Sequence, residues 1–194
     1  RKALIDPLES RSEELASLGS KALQAFDPES DDWAAGWTLQ VLNRHQPEVL
    51  QVILPKDSNG WFLAPSSAGI DYGLLQQHLL KEHFEEADRF TSSVLRELVG
   101  EGAKDRGYIY YSEVKSIPSE DLISLDRLWH AYSQGKFGFS VQARLLSSLG
   151  GRYDKLWKRI GWKHEGIWTR YPAAFDWTLN APEGHMPLTN QLRG

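Results

Sequence analysis

Between Asp71 and Gly100 the apolar residues return at every third or fourth position, first as Tyr72, Leu75 and Leu79, then as Phe84, Ala87, Val94, Leu95 and Leu98. Such a period lines them along one side of a helix and does not fit the two-residue alternation of a strand. Asp71 stands where a helix N-cap belongs and Gly100 where the second run stops, so the stretch reads as a helical hairpin. No second copy follows at a spacing of about 34 residues, so this is one hairpin and not evidence of a solenoid.

The same reading extends along the chain. Leu8, Leu15, Leu18, Ala22 and Phe26 make a first amphipathic helix, and Asp31 or Asp32 caps a second on which Trp33, Trp37 and Val41 share a face. Pro47 and Pro55 bracket a short helix, and the DSNGW run at Asp57 to Trp61 is a turn signal with room for a small β-hairpin. The small, polar PSSAG run, Pro65 to Gly69, divides an N-terminal helical unit, 1–69, from a second unit, 70–194. Gly100 to Tyr111 reads as a loop. Pro118 then opens a helix carrying Leu122, Leu125, Trp129 and Tyr132. Val141, Leu145 and Leu149 mark a further helix stopped by Gly150 and Gly151, and Tyr153, Leu156, Trp157 and Ile160 a last one ended by Gly161. Beyond it, aromatic coil with Pro172, Pro182 and Pro187 folds back on the helices as loops. The expected fold class is all-α.

Several functions are disfavoured by composition. The absence of cysteine removes disulfides, thiolate metal sites and thiol nucleophiles, and suits a reducing compartment. A net charge of −4 works against the basic face that nucleic acid demands. Apolar runs such as Val49 to Pro55 fall far short of the roughly 20 residues that cross a bilayer. Asp126 and His130 have a spacing that lets them meet on a helix, but Ser133 nearby does not complete a catalytic set. The GKFGFS run, Gly135 to Ser140, lacks P-loop spacing and reads as a helix-to-helix turn. Histidines 45, 78, 83, 130, 164 and 185 have no metal-ligand spacing. The chain is expected not to be an enzyme and to carry no cofactor of its own.

One stretch stands out. Five of the eight tryptophans lie between residues 129 and 177. From Arg152 to Arg170 six basic residues (Arg152, Lys155, Lys158, Arg159, Lys163, Arg170) face two acidic ones (Asp154, Glu165), beside Tyr153, Trp157, Trp162 and Trp168. Flat aromatic faces beside cations suit a planar anionic ligand, whether stacked bases or a tetrapyrrole. The same pattern also arises when tryptophans fill a core and lysines line its rim.

The run Asp126 to Gln142, DRLWHAYSQGKFGFSVQ, resembles the signature of the genomes-uncoupled-four family of tetrapyrrole-binding proteins. DYGLLQQHLLKEHFEEADRFT (Asp71 to Thr91), IPSEDL (Ile117 to Leu122), RIGWK (Arg159 to Lys163) and APEGHMP (Ala181 to Pro187) follow the family's order. The resemblance spans residues 71 to 187. It implies a cup-shaped helical core that binds protoporphyrin IX and magnesium protoporphyrin IX and stimulates magnesium chelatase in chlorophyll synthesis. It also implies the large porphyrin-binding chelatase subunit as partner, a link to plastid-to-nucleus signalling, a place in the chloroplast stroma or a cyanobacterial cytoplasm, and room for peripheral membrane association.

By the same resemblance Trp162 lies near the ring face, and Asn180 sits in a closing loop where its amide oxygen could approach an axial position of the magnesium. Some relatives carry a basic residue where Glu183 stands, so propionate binding is expected to fall to Arg159, Lys163 or Arg170. Leu79, Val94, Phe137, Phe139, Trp168 and Phe175 are further pocket candidates, with core packing the alternative for each. The competing function is a helical protein-interaction scaffold with a tryptophan-rich partner surface. A single-stranded nucleic-acid binder is a third reading.

Overall fold

Asp32 begins the first long helix, its carboxylate accepting the Ala34 amide at 2.8 Å. This helix, α1, runs Trp33–His45, and α2, Pro47–Ile53, follows with Pro47 in its first turn. The computed structural model describes residues 11, 18–19, 21–54 and 60–188. Leu8 and Leu15 of the expected first helix and Asp57 to Asn59 of the expected hairpin turn lie outside the described residues. Trp61 onward is extended coil without strand pairing.

Asp71 Oδ1 accepts the Gly73 amide at 2.7 Å and starts α3, Gly73–Leu80. Helix α4, Phe84–Val99, buries Phe84, Ala87, Val94 and Leu95 and stops at Gly100, where φ is 123°. The expected loop from 100 to 111 contains a short helix instead, α5, Glu101–Arg106. No apolar stripe announces it. Burial of Ala103, the Lys104–Glu101 pair and the left-handed Gly107 cap hold it. A 3₁₀ turn, Tyr111–Ser116, leads into α6, Ser119–Tyr132. Helices α7, Phe139–Ser148, and α8, Tyr153–Arg159, follow. A minimal antiparallel pair, β1 Lys163–His164 with β2 Ile167–Trp168, interrupts the segment read as coil. The chain is all-α in class.

The main core gathers Leu39, Leu42, Leu50 and Phe62 from before residue 69 with Leu75, Leu79, Phe84 and Trp129 from after it. The PSSAG run is fastened to α6. The Ser66 hydroxyl and Ser67 amide donate to the buried Asp121 carboxylate, which also accepts Tyr72 Oη–H at 2.7 Å, and Ser124 Oγ–H donates to the Pro65 carbonyl. A second, smaller cluster buries Val141, Leu145, Leu156, Ile160, Trp162, Phe175 and Leu188. Trp177 packs against both. No helix of the described residues is long and apolar enough to cross a membrane.

Candidate functional site

The second cluster is assembled by a turn only glycine makes easily. At Gly161 φ is 78°, and a Cβ there would sit 3.1 Å from Pro182 and 3.3 Å from His185 Nδ1. The turn sends Trp162 back under α8. Its indole is 4% exposed, and Nε1–H donates to the His185 carbonyl at 2.8 Å. Thr169 then returns to Trp162 and Gly161, its amide donating to the Trp162 carbonyl and its hydroxyl to the Gly161 carbonyl. The hairpin is thereby docked on the end of α8.

Outside this cluster lies an aromatic surface. The rings of Trp157 and Trp168 are 4.8 Å apart, Tyr153 is 6.1 Å from Trp157, and Lys163 Nζ sits 4.9 Å over the Trp168 ring. Trp168 is 40% exposed and Ile167 75%. Exposed Lys155, Lys158, Arg159 and Arg170 flank it without a carboxylate partner among the described residues. Large exposed aromatic and aliphatic groups beside unpaired cations are the kind of surface that a partner or ligand covers.

A third component is the aromatic segment 171–177. Tyr171, Phe175 and Trp177 form a mutual ring cluster, with Phe175 and Trp177 stacked at 5.5 Å. Tyr171 Oη–H donates to the buried Asp88 of α4 at 3.2 Å, and the Leu188 amide donates to the same carboxylate at 2.6 Å. The APEGHMP segment is strapped to the GKFGFS turn. The Gly138 amide donates to the Met186 carbonyl, the Gly184 amide to the Lys136 carbonyl, and Gln142 Nε2–H to the Gly184 and Pro187 carbonyls.

The residues expected at a site therefore fall into three environments. Leu79, Val94 and Phe137 are packed in the main core at 0%, 4% and 0% exposure, with Phe139 half-buried against it. Trp162 and Phe175 share the second cluster. Trp168 and Lys163 meet on the aromatic surface, and Arg159, Arg170 and Asn180 are exposed. Glu183 is paired with Arg144 at 2.8 Å, a neutralising partner that sequence spacing does not reveal. Ile167 is not among the residues expected at a site, and His185 is read there only as one of six scattered histidines. Ile167 belongs to no helical stripe, and His185 lies alone within the APEGHMP run.

Asp126 and His130 do not form a catalytic dyad. Asp126 accepts the Ser140 amide at 2.9 Å, and His130 Nδ1 lies 3.1 Å from Asp31. Among the described residues no three His, Asp or Glu side chains are grouped to hold a metal. A cavity of about 90 Å³ lies elsewhere, lined by Leu39, Leu54, Trp61, Gln76, Leu80 and Tyr132, and is too small for a macrocycle.

The chain matches the GUN4-like family model over residues 65–194. It is 44% identical over 162 residues to a Ycf53-like protein of Synechocystis, covering 83% of this chain and 70% of that protein. The chloroplastic tetrapyrrole-binding protein of Arabidopsis thaliana is 36% identical over 132 residues, which are 63% of this chain and half of that protein. The solved structure of Chlamydomonas reinhardtii GUN4 superposes with a TM-score of 0.63 at 40% identity, over 66% of this chain and 83% of that one. Ligand-free Arabidopsis GUN4 superposes at 0.57 with 37% identity, over 67% and 89%. On the extent of the family match and the identity of these relatives, the chain belongs to the GUN4-like family.

Proposed function

We propose that this chain binds tetrapyrroles, protoporphyrin IX and magnesium protoporphyrin IX in particular, and acts as a non-enzymatic accessory protein of magnesium chelatase in chlorophyll synthesis. The observation that carries the reading is the Trp157–Trp168 surface, beside cations that have no carboxylate partner among the described residues. Macrocycle faces stack on indole rings, and propionates meet cations. Trp162, Trp168 and Phe175 supply ring contacts, while Leu79, Val94 and Phe137, with Phe139 packed against them, serve as core packing and not as pocket lining. Arg159, Lys163 and Arg170 take the propionates, while the Asn180 amide oxygen approaches one axial position of the magnesium.

The large porphyrin-binding chelatase subunit is the proposed protein partner, with chloroplast stroma or cyanobacterial cytoplasm as the compartment. Plastid-to-nucleus signalling and peripheral membrane association belong to the same proposal. The scaffold reading draws on the exposure of Tyr153, Ile167 and Trp168, which a partner chain could also cover.

Titration with water-soluble deuteroporphyrin, with and without magnesium, tests the proposal by quenching of tryptophan fluorescence. Saturable quenching, weakened in Trp168→Ala, supports it. Its absence leaves the scaffold reading in front. Trp162→Ala is the poorer probe, because removing a buried indole mixes loss of a contact with loss of the cluster.

A further inference from the structure

The cavity of about 90 Å³ opens between the part of the chain that precedes residue 69 and the part that follows it. Leu39 of α1, Gln76 of α3 and Tyr132 of α6 form its buried end, while Trp61, Gln77 and Leu80 stand at the more exposed side. These walls are held in place. The Gln76 carboxamide is bonded to both backbone groups of Phe62, accepting the amide at 3.1 Å and donating to the carbonyl at 2.9 Å. At Gly60 φ is 140°, and a Cβ there would lie 2.3 Å from Gln76 Cδ, so glycine lets the chain pass this close to the carboxamide. Edge-to-face contacts then run from Trp61 to Phe62 and from Phe62 to Tyr132, at 4.8 and 5.3 Å. Leu39 and Trp61 lie before residue 65, where the family match begins, and the cavity shares no residue with the aromatic surface around Trp168.

Two polar groups at the buried end are not fully used. Tyr132, 2% exposed, donates its hydroxyl hydrogen to Gln76 Oε1 at 3.3 Å, and no donor among the described residues reaches the hydroxyl oxygen. Burial pushes the Tyr132 pKa up, so the phenol stays neutral and keeps that hydrogen. Gln76 Nε2 carries two hydrogens, of which the Phe62 carbonyl takes one and no acceptor among the described residues takes the other. Because the Tyr132 hydroxyl is bonded to the same carboxamide, an acceptor and a donor stand side by side. Buried polar groups are normally satisfied, by protein or by water. Water fits poorly here. The volume is that of about three waters, each needing about two to four polar partners, and the Leu39 and Leu80 walls offer none.

We infer that this cavity is a second binding site, for a small neutral molecule with a cyclic amide edge: its N–H donates to the Tyr132 oxygen and its carbonyl accepts from Gln76 Nε2–H. A five-membered lactam carries donor and acceptor on one edge, so both bonds form together, and its aliphatic side packs on Leu39 and Leu80 in place of water. The ligand is neutral because no charged side chain lines the cavity among the described residues, and an ion desolvated there would lack a counter-charge. Seated in the cavity, it touches both sides of residue 69. It therefore binds the folded junction and not the unfolded chain, and stabilises that junction by mass action. None of this depends on the tetrapyrrole reading.

The test follows the indole N–H resonance of Trp61, assigned through Trp61→Phe, as the full chain is titrated with pyrrolidinone and with cyclopentanone, a ring of the same size without the N–H donor. Pyrrolidinone should shift the resonance saturably, with half-saturation in the millimolar range. In Tyr132→Phe its affinity should fall about fivefold, the worth of one hydrogen bond, while that of cyclopentanone is kept. Absence of a saturable shift in the unmodified chain overturns the inference, whatever the variant does. So does a Tyr132→Phe chain that binds pyrrolidinone as tightly as the unmodified one. Equal losses for the two compounds also overturn it, since the hydroxyl would then be acting on the shape of the cavity and not on an amide.

Discussion

Gly36 lies where α1 crosses α6, and replacing it with alanine sets two effects of opposite sign against each other. Alanine in a helix interior is favoured over glycine by about 1 kcal/mol. Yet a Cβ at position 36 would stand 2.2 Å from the Ala131 carbonyl oxygen, 2.6 Å from its carbon and 3.1 Å from the Tyr132 nitrogen. All three are backbone atoms with no rotamer to escape into. Ordinary contact begins at 3.4 Å, so the helices must part by roughly 1 Å. Overpacking of this kind costs about 1–3 kcal/mol. The same displacement strains Gln40, whose Nε2–H groups bridge the crossing to the Leu79 and Tyr132 carbonyls at 3.1 and 2.8 Å, bonds worth about 1 kcal/mol each. The steric side wins. Gly36→Ala should lose about 1–3 kcal/mol, which at about 2–4 °C per kcal/mol lowers the melting midpoint by about 2–12 °C. Calorimetry checks it, and an unchanged or raised midpoint refutes the reasoning. Because the core draws on both sides of residue 69, one transition should move as a whole; a split in which only an early part shifts would mean that the two parts melt separately.

Three other outcomes are expected. Tyr72→Phe removes a hydroxyl from the buried Asp121 carboxylate and should cost about 1–3 kcal/mol in urea unfolding, with the tetrapyrrole affinity unchanged. His185 has a depressed pKa in the folded state, so the unfolded chain binds the extra proton first. Its stabilising share is full above the ordinary histidine value of about 6.5 and is lost as pH falls below it, at up to about 1.4 kcal/mol per pH unit. Unfolding curves from pH 7.5 to 5 read this slope, and His185→Gln should flatten it in part, His78 being shifted in the same direction. Trp168→Ala should weaken deuteroporphyrin binding about fivefold, the equivalent of roughly 1 kcal/mol for one aromatic contact, without changing the melting midpoint by more than a degree or two.

Much of the helical framework is legible in the sequence because caps and apolar period agree: Asp32 with Trp37 and Val41, Asp71 with Leu75 and Leu79, Gly100 after Leu95. Helix α5 is not, since EGAKDR has a glycine inside it and one buried side chain, and its order comes from tertiary contacts. The PSSAG run has the composition of a linker, yet its serines are spent on Asp121, a partner about 55 residues away that no local pattern announces. At the site the cation-rich aromatic stretch is plain from the residues alone. The fates of Trp162 and Trp168 are not, for both border the same short hairpin, and only the Gly161 turn decides that the first is buried and the second exposed.

The division of the apolar interior has a consequence for how the molecule breathes. Among the described residues the second cluster has seven buried hydrophobic members, against twenty-four in the main core. Local opening free energy scales with what must be exposed, so amides of α7, α8 and the hairpin should exchange with solvent through a sub-global fluctuation, while those of α4 and α6 wait for complete unfolding. Trp177, touching both clusters, sits at the seam between the two exchange regimes. A guest that seated on the second cluster would therefore be admitted at the expense of the weaker unit alone, and would narrow the difference in protection between the two.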